Sequence, residues 1–274
     1  MNYQTITVQA LTPTLGAEIH GVDLAKPLTP IQFKEIHDAF LKHQVIFFRD
    51  QELTLDQHKE FGSLFGELDI HPYAPSQKGH PEVLPIHADA NSKQIAGERW
   101  HSDVSCDPEP PMGSILHIHT VPPVGGDTLF SNMYAAYDAL SDGMKSYLEG
   151  LVALHDGAPG YRKRASIEGK EDNRRFPRAE HPVIRTHPET GQKLIFVNPV
   201  FTTNILDLPT GEGDAVLKLL FEHCNQPQFQ ARFRWKKNSV AFWDNRCVQH
   251  IAMWDYFPQT RSGNRITLKG DKPF

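Results

Sequence analysis

The chain has 274 residues, 39% hydrophobic and 22% charged, with a formal net charge of −5. Its length suits one large domain with a substantial core, and the mildly acidic balance argues against a general nucleic-acid binder, which would carry a basic face. No apolar run approaches a membrane span, and Met1-Asn-Tyr-Gln-Thr-Ile-Thr-Val8 has no basic stretch leading into an apolar core, so neither a membrane role nor a secretory leader is expected.

Residues 1–28 alternate apolar and polar positions with breaks at Gly16 and Gly21, which predicts two short strands. Thr29-Pro30-Ile31-Gln32 reads as a helix start with Thr29 as N-cap and Gln32 as its capping-box partner. Ile31, Phe33, Ile36, Phe40 and Leu41 form its apolar stripe up to His43. Val45–Arg49 then reads as a buried strand. A second box, Thr54 to Gln57, opens a helix carrying Phe61, Leu64 and Phe65. From Asp69 to Glu98 the periodicity vanishes, and a loop of this length in a compact domain is often functional. Strands are expected at Ser114–Val121 and Asp127–Ser131, a helix at Met133–Leu151, and a hairpin over His181–Asn198. A short helix at Asp214–Cys224, a hairpin over Phe229–Asp244 and a closing strand at Arg265–Lys269 complete the pattern. The Tyr161–Glu180 stretch, with seven basic and four acidic residues, reads either as a solvated mobile segment or as an active-site lid.

Short strands outnumber helices after residue 98, which predicts an α+β fold: a double-stranded β-helix (jelly-roll) core with flanking helices. Such a core brings distant strands together, and this matters for Trp100-His101-Ser102-Asp103. A histidine and a carboxylate two apart on an extended segment face the same side. His250, in Trp243-Asp-Asn-Arg-Cys-Val-Gln-His250, can complete a two-histidine, one-carboxylate set that leaves half of an octahedral metal open, the pattern of non-haem Fe(II) oxygenases. With 15 histidines in the chain a distant partner is always available, so solvated or core-satisfied polar residues stay open as the alternative. Cys106, Cys224 and Cys247, widely spaced and odd in number, fit free thiols in a reducing cytoplasm better than a disulfide framework, and with no Cys-x-x-Cys pair Cys106 and Cys247 read as small buried hydrophobes rather than zinc ligands. His117 and His119 repeat the ligand spacing but read as strand residues, and Trp100 and Trp243 as aromatics packed near the metal.

Further blocks carry a resemblance: Leu15-Gly-Ala-Glu-Ile-His-Gly-Val-Asp-Leu24, His43-Gln-Val-Ile-Phe-Phe-Arg-Asp50, Phe65-Gly-Glu-Leu68, Gly125-Gly-Asp-Thr128 and Trp243-Asp-Asn-Arg246. In order and spacing the chain resembles the taurine dioxygenase family of Fe(II)- and 2-oxoglutarate-dependent oxygenases, which includes aryloxyalkanoate and alkylsulfate dioxygenases. The resemblance covers essentially residues 1–274, read as one catalytic domain with active-site loops at 69–98 and 157–180. It implies Fe(II) on His101, Asp103 and His250, with O2 and 2-oxoglutarate as cosubstrates, succinate and CO2 as products, and Asp103 favouring hydroxylation. It also implies that Arg261 and Thr128 hold the far carboxylate of 2-oxoglutarate; from the residues alone Arg261 reads as a surface arginine and Thr128 as a β-branched strand residue. By the same resemblance Arg265, four residues on and on the same strand face, and His71, with Tyr73 beside it, contact a small anionic organic substrate: a sulfonate, sulfate ester, aryloxy or other carboxylic acid. A homo-oligomer is compatible with it.

The family's taurine-pocket residues are replaced at Ala74, Ala96, Gly97 and Gly157. This predicts a roomier, less polar pocket and a substrate other than taurine. Two rival readings are a metal-dependent hydrolase or isomerase on a similar barrel and a non-catalytic acid-binding module. Arg261 and Thr128 discriminate against the first, because a hydrolase needs no dicarboxylate clamp, and the intact His101, Asp103, His250 and Arg261 argue against the second.

Overall fold

The computed structural model describes residues 3–71 and 73–274. The chain starts with an antiparallel pair, β1 (Thr7–Ala10) and β2 (Ala17–His20). Helix α1 (Pro30–His43) opens with the expected capping box: Gln32 N donates to Thr29 Oγ1 at 3.2 Å, and Thr29 N donates to Gln32 Oε1 at 3.1 Å. Ile36 and Phe40 are buried, but Ile31 is 53% exposed. At 3.6 residues per turn it lies about 140° around the helix from Ile36, off the buried face. Strand β3 (Val45–Phe48) follows, then α2 (Leu55–Ser63) with its Thr54–Gln57 box. Leu64 falls beyond the helix end and is exposed.

The segment after residue 68 is less irregular than its sequence suggests. It holds β4 (Leu68–Asp69) and β5 (Leu84–Ala88), and β5 pairs with the C-terminal strand β16 (Arg261–Leu268). Pro85 disguises β5, since proline fits a strand only where its missing N–H faces no partner. Next come β6 (Gly113–Thr120), β7 (Thr128–Asn132), α3 (Met133–Asp138) and α4 (Asp142–Leu148). The single helix expected over Met133–Leu151 is thus two, because Ser141 caps a new one, its Oγ accepting from Met144 N. Then follow β8 (Val152–Asp156), α5 (Ala158–Ile167), β9 (Arg178–Pro182), β10 (Ile184–Thr186), β11 (Lys193–Ile195), β12 (Thr202–Ile205) and α6 (Thr210–Cys224). The last strands before β16 are β13 (Gln230–Phe233), β14 (Ser239–Asp244) and β15 (Val248–Ala252).

These form a mixed α/β structure with several sheets. The largest runs β1-β2-β3-β14-β6-β16-β4, with β5 also on β16; the others are β13-β7-β15, β12-β8-β9 and the β10-β11 hairpin. The hairpin expected over Phe229–Asp244 does not form. Strand β14 uses both edges, on β3 and β6, so β13 pairs with β7 instead, and Asn238 at φ 60° turns the chain between the two sheets.

Strand β3 shows how the layers meet. Val45 and Phe47 join the core shared with the β13-β7-β15 sheet, while Ile46 and Phe48 join the core beneath α1. Phe47 stacks on Phe233 at 3.8 Å between ring centroids, and Phe40 of α1 on Phe242 at 4.0 Å. A strand buried on both faces reads as a continuous apolar run, as Val45-Ile-Phe-Phe48 does.

Candidate active site

His101 and His250 are joined by an isolated antiparallel bridge: His101 N donates to His250 O at 3.1 Å, and His250 N to His101 O at 2.8 Å. Residues exchanging both bonds are directly opposed, so their side chains share a face. The imidazole centroids lie 4.2 Å apart. The chain then turns at once, with Val104 at φ 45°, so Asp103 arrives from a turn and not from the extended segment its spacing suggests. Its Oδ1 ends 3.6 Å from His101 Nε2 and 3.9 Å from His250 Nε2.

These separations are too long for hydrogen bonds. His101 Nδ1 lies 2.8 Å from the Arg99 carbonyl oxygen, which can only accept, so Nδ1 carries the proton and Nε2 presents a lone pair. One ligand atom from each of the three buried residues lies within 4.8 Å of the others. Two imidazole nitrogens and a carboxylate oxygen around one gap fit a divalent transition metal. Burial opposes ionisation of Asp103, yet the Arg265 guanidinium, with His250 and His101, holds its carboxyl well below the ordinary range. Burial, then the neighbouring His101, pushes His250 far down, toward the neutral form a ligand needs.

Asn245 braces this carboxylate from a residue separation of 142. Its Oδ1 accepts from Asp103 N at 3.3 Å and Trp243 Nε1 at 2.9 Å, and its Nδ2 donates to Ser114 Oγ at 3.0 Å. Ser114 Oγ donates in turn to Asp103 Oδ2 at 2.8 Å, turning Oδ1 toward the histidines. Sequence reasoning assigned no role to Asn245 or Ser114; the only signal was the Trp243-Asp-Asn-Arg246 block itself. In that block Trp243 lies 4.7 Å from the His250 ring, while Asp244 binds Arg246 through both oxygens and His187 through one. His187, Asp244 and Cys247 also cluster, but those bonds occupy the Asp244 carboxylate.

Across the cavity, Thr128 sits two residues from Phe130, the partner of His250 in register, and so shares its face. Trp235 Nε1 donates to Thr128 Oγ1 at 2.9 Å, and Arg261 Nη2 lies 3.5 Å from the same oxygen. Arg261 is 4% exposed, not the surface residue its loop-like sequence suggests; its Nε has no partner. Its Cζ stands 5.3 Å from the Trp235 ring centroid. A buried guanidinium without an anion is costly and calls for one. Gly126 makes room for it: its φ is +73° and a Cβ there would lie 3.1 Å from Arg261 Cδ.

A cavity of about 280 Å³ is lined by His101, Asp103, His250, Thr128, Arg261 and Arg265 together. His71 and Tyr73 line it too, but the Tyr73 hydroxyl lies 3.4 Å from the Arg175 carbonyl. Tyr73 N donates to His71 Nδ1 at 3.2 Å, leaving Nε2–H as a donor. Burial, then the Arg265 charge, lowers the His71 pKa to about 4, so the ring is neutral at pH 7. Arg265 Nη1 meets Asp103 Oδ1 at 2.7 Å. His117 lies outside the cavity, its ring 6.1 Å from that of His58, while Leu116 of the same strand faces in. Trp100 is half-buried, and all three cysteines are free and buried.

Three facing ligand atoms and an uncompensated guanidinium on one cavity are what a metal enzyme with an anionic cosubstrate requires. Residues 7–269 match the family model "Taurine catabolism dioxygenase TauD, TfdA family", and the chain belongs to that family. It is an alpha-ketoglutarate (2-oxoglutarate)-dependent dioxygenase that works with iron. A provisionally assigned alpha-ketoglutarate-dependent sulfonate dioxygenase of Schizosaccharomyces pombe is 38% identical, over 97% of this chain and 70% of that protein. An alpha-ketoglutarate-dependent sulfate ester dioxygenase of Pseudomonas putida is 33% identical, over 98% and 91%. The crystal structure of a taurine dioxygenase from Burkholderia xenovorans superposes with a TM-score of 0.86 at 38% identity, covering 98% of this chain and 91% of that one. Among the described residues no helix is long and apolar enough to cross a membrane.

Proposed function

We propose that this protein hydroxylates a small sulfonate, sulfate ester, aryloxy or other carboxylic acid, but not taurine, with 2-oxoglutarate and O2 as cosubstrates. His101, Asp103 and His250 hold Fe(II). The bound metal and 2-oxoglutarate supply the oxidising chemistry, with succinate and CO2 released. Arg261 and Thr128 receive the far carboxylate of 2-oxoglutarate, a planar fork meeting a planar anion. Arg265 and the neutral His71, through Nε2–H, receive the substrate's anionic head, with the Tyr73 ring beside them. The sulfonate and sulfate ester dioxygenases similar to this chain support that head group.

The large sheet and the β13-β7-β15 sheet, packed through Phe47 and Phe233, support a jelly-roll core in a single domain of residues 1–274. Segments 69–98 and 157–180 act as its active-site cover, since His71, Tyr73 and Tyr161 from them line the cavity. Three buried free thiols fit a reducing, cytoplasmic setting.

The single observation that carries this reading is Arg261, buried, without a counter-ion among the described residues and sharing a cavity with the triad. A hydrolase on the same frame has no use for it. Anaerobic addition of Fe(II) and 2-oxoglutarate is expected to produce a weak visible charge-transfer band. Its absence in folded, iron-loaded protein would overturn the proposal.

A further inference from the structure

Gly157 does not enlarge the cavity as its sequence suggests. A Cβ built there would lie 3.0 Å from Cys106 Sγ and 3.0 Å from the Tyr161 ring. Tyr161 stands one turn along α5, its N donating to Gly157 O at 3.1 Å, and residues four apart on a helix share a face. Its ring stacks on Phe176 at 5.1 Å and 14°, lies 5.1 Å from Tyr73, and lines the cavity. Phe201, Val104 and Cys106 form a small apolar cluster against it.

The charges nearby are unbalanced. Lys163 and Arg164 of α5 line the same cavity, as do Arg99, Arg261 and Arg265, against Glu98 and Asp103 among the lining carboxylates, with Glu168 outside the lining 4.0 Å from Arg164 Nε. Aromatic faces can hold a cation, but those behind Tyr161 already have theirs. Arg174 lies 5.6 Å from the Tyr73 centroid, and Arg162 and Arg174 each lie 5.9 Å from that of Phe176.

We propose that Tyr161 is a specificity-determining residue of the substrate pocket. An organic anion with an uncharged apolar tail packs against its ring, and Lys163 and Arg164 turn away the same anion with an ammonium tail. The inference rests on the dioxygenase reading above and names the substrate class of that site.

The test is calorimetry on enzyme loaded with Mn(II), which holds the site without turnover, and 2-oxoglutarate. Two probes share a head group: 1-pentanesulfonate and taurine. The wild type is expected to bind 1-pentanesulfonate at least about tenfold more tightly, the effect of burying roughly two methylenes. Tyr161→Ala should narrow that ratio to about threefold or less, and Tyr161→Phe should keep it, since the ring and not the hydroxyl is used. The double variant Lys163→Glu, Arg164→Glu should shift the ratio toward taurine. Equal binding of both probes by the wild type overturns the inference, as does an unchanged ratio in Tyr161→Ala. If Tyr161→Ala does not fold, an unchanged ratio in the double variant overturns it. Failure of 2-oxoglutarate to bind the Mn(II)-loaded wild type would instead overturn the dioxygenase reading, and the inference with it.

Discussion

Arg265 donates to the one oxygen of Asp103, Oδ1, that faces both histidine Nε2 atoms, at 2.7 Å. The guanidinium therefore compensates the Asp103 carboxylate and lines the cavity beside it, where the proposed function has it meet an anionic substrate head. Arg265→Ala should lower substrate-dependent turnover by roughly 10- to 100-fold, the usual effect of losing a charge-assisted hydrogen bond. Uncoupled decarboxylation of 2-oxoglutarate should fall much less. Parallel assays of product and succinate read the split, and equal losses would contradict the assignment.

The same contact predicts a stability effect. Without Arg265 the buried Asp103 carboxylate lacks its strongest counter-charge in metal-free protein, so Arg265→Ala should lower the melting temperature. Mn(II) should restore more stability to the variant than to the wild type, because the ion supplies the missing charge. Thermal melts with and without Mn(II) measure this, and equal gains would refute it.

Asn245 reaches the metal side through Asp103, Ser114 and Trp243. Asn245→Ala should weaken metal affinity by roughly 10- to 100-fold, as losing a residue that orients a ligand commonly does. Competition of Fe(II) against a chelator gives the affinity. Unchanged affinity would make Asn245 a packing residue only.

If Arg261 holds the far carboxylate of 2-oxoglutarate as proposed, the geometry of its fork is expected to matter as well as its charge. Arg261→Ala should raise the 2-oxoglutarate KM by roughly 30-fold or more, the scale of leaving a buried carboxylate without its partner. Arg261→Lys should recover only part of that loss, since an ammonium cannot match both carboxylate oxygens. Full recovery by lysine would show that charge alone suffices.

Two histidines remote from the metal predict an acid-side loss of stability. Burial, reinforced by His117 and His181 respectively, lowers the pKa of His58 and His155 from 6.5 to about 3. Between those values the unfolded chain binds protons that the native state does not, so stability is full above about pH 6.5 and falls as pH drops. From pH 7.5 to 5.5 the two together should cost roughly 2–3 kcal/mol. Urea midpoints at both pH values measure the slope. His58→Leu should flatten it, and an unaltered slope would discount His58.

Local features are legible in the sequence where their cause is local. Thr29 and Thr54 cap helices because their partners Gln32 and Gln57 lie three residues away. Three features escape the local pattern. Pro85 hides a strand whose partner lies in β16, Ser141 divides a helix, and β13 and β14 are adjacent in sequence but unpaired because both edges of β14 are taken by β3 and β6. At the site, the triad and the Arg261–Arg265 spacing were visible, but Asn245, Ser114 and Tyr161 were not. Their roles rest mainly on contacts across the fold, and along the chain only the Trp243-Asp-Asn-Arg246 block around Asn245 and the Gly157–Tyr161 spacing hint at them.

By itself, then, the sequence determined the capped helices, the doubly buried strand Val45–Phe48, and the candidate residues that the fold gathers on one cavity, through blocks whose order and spacing are matched by a family. The tertiary structure decided how those residues stand to one another. The His101–His250 bridge sets the imidazoles side by side, Asn245 and Ser114 aim the Asp103 oxygen between them, and the Tyr161 ring takes the space that Gly157 leaves open. The division follows from range: capping and periodicity act over a few residues, whereas strand-edge pairing and cavity filling join groups that only the folded chain brings into contact.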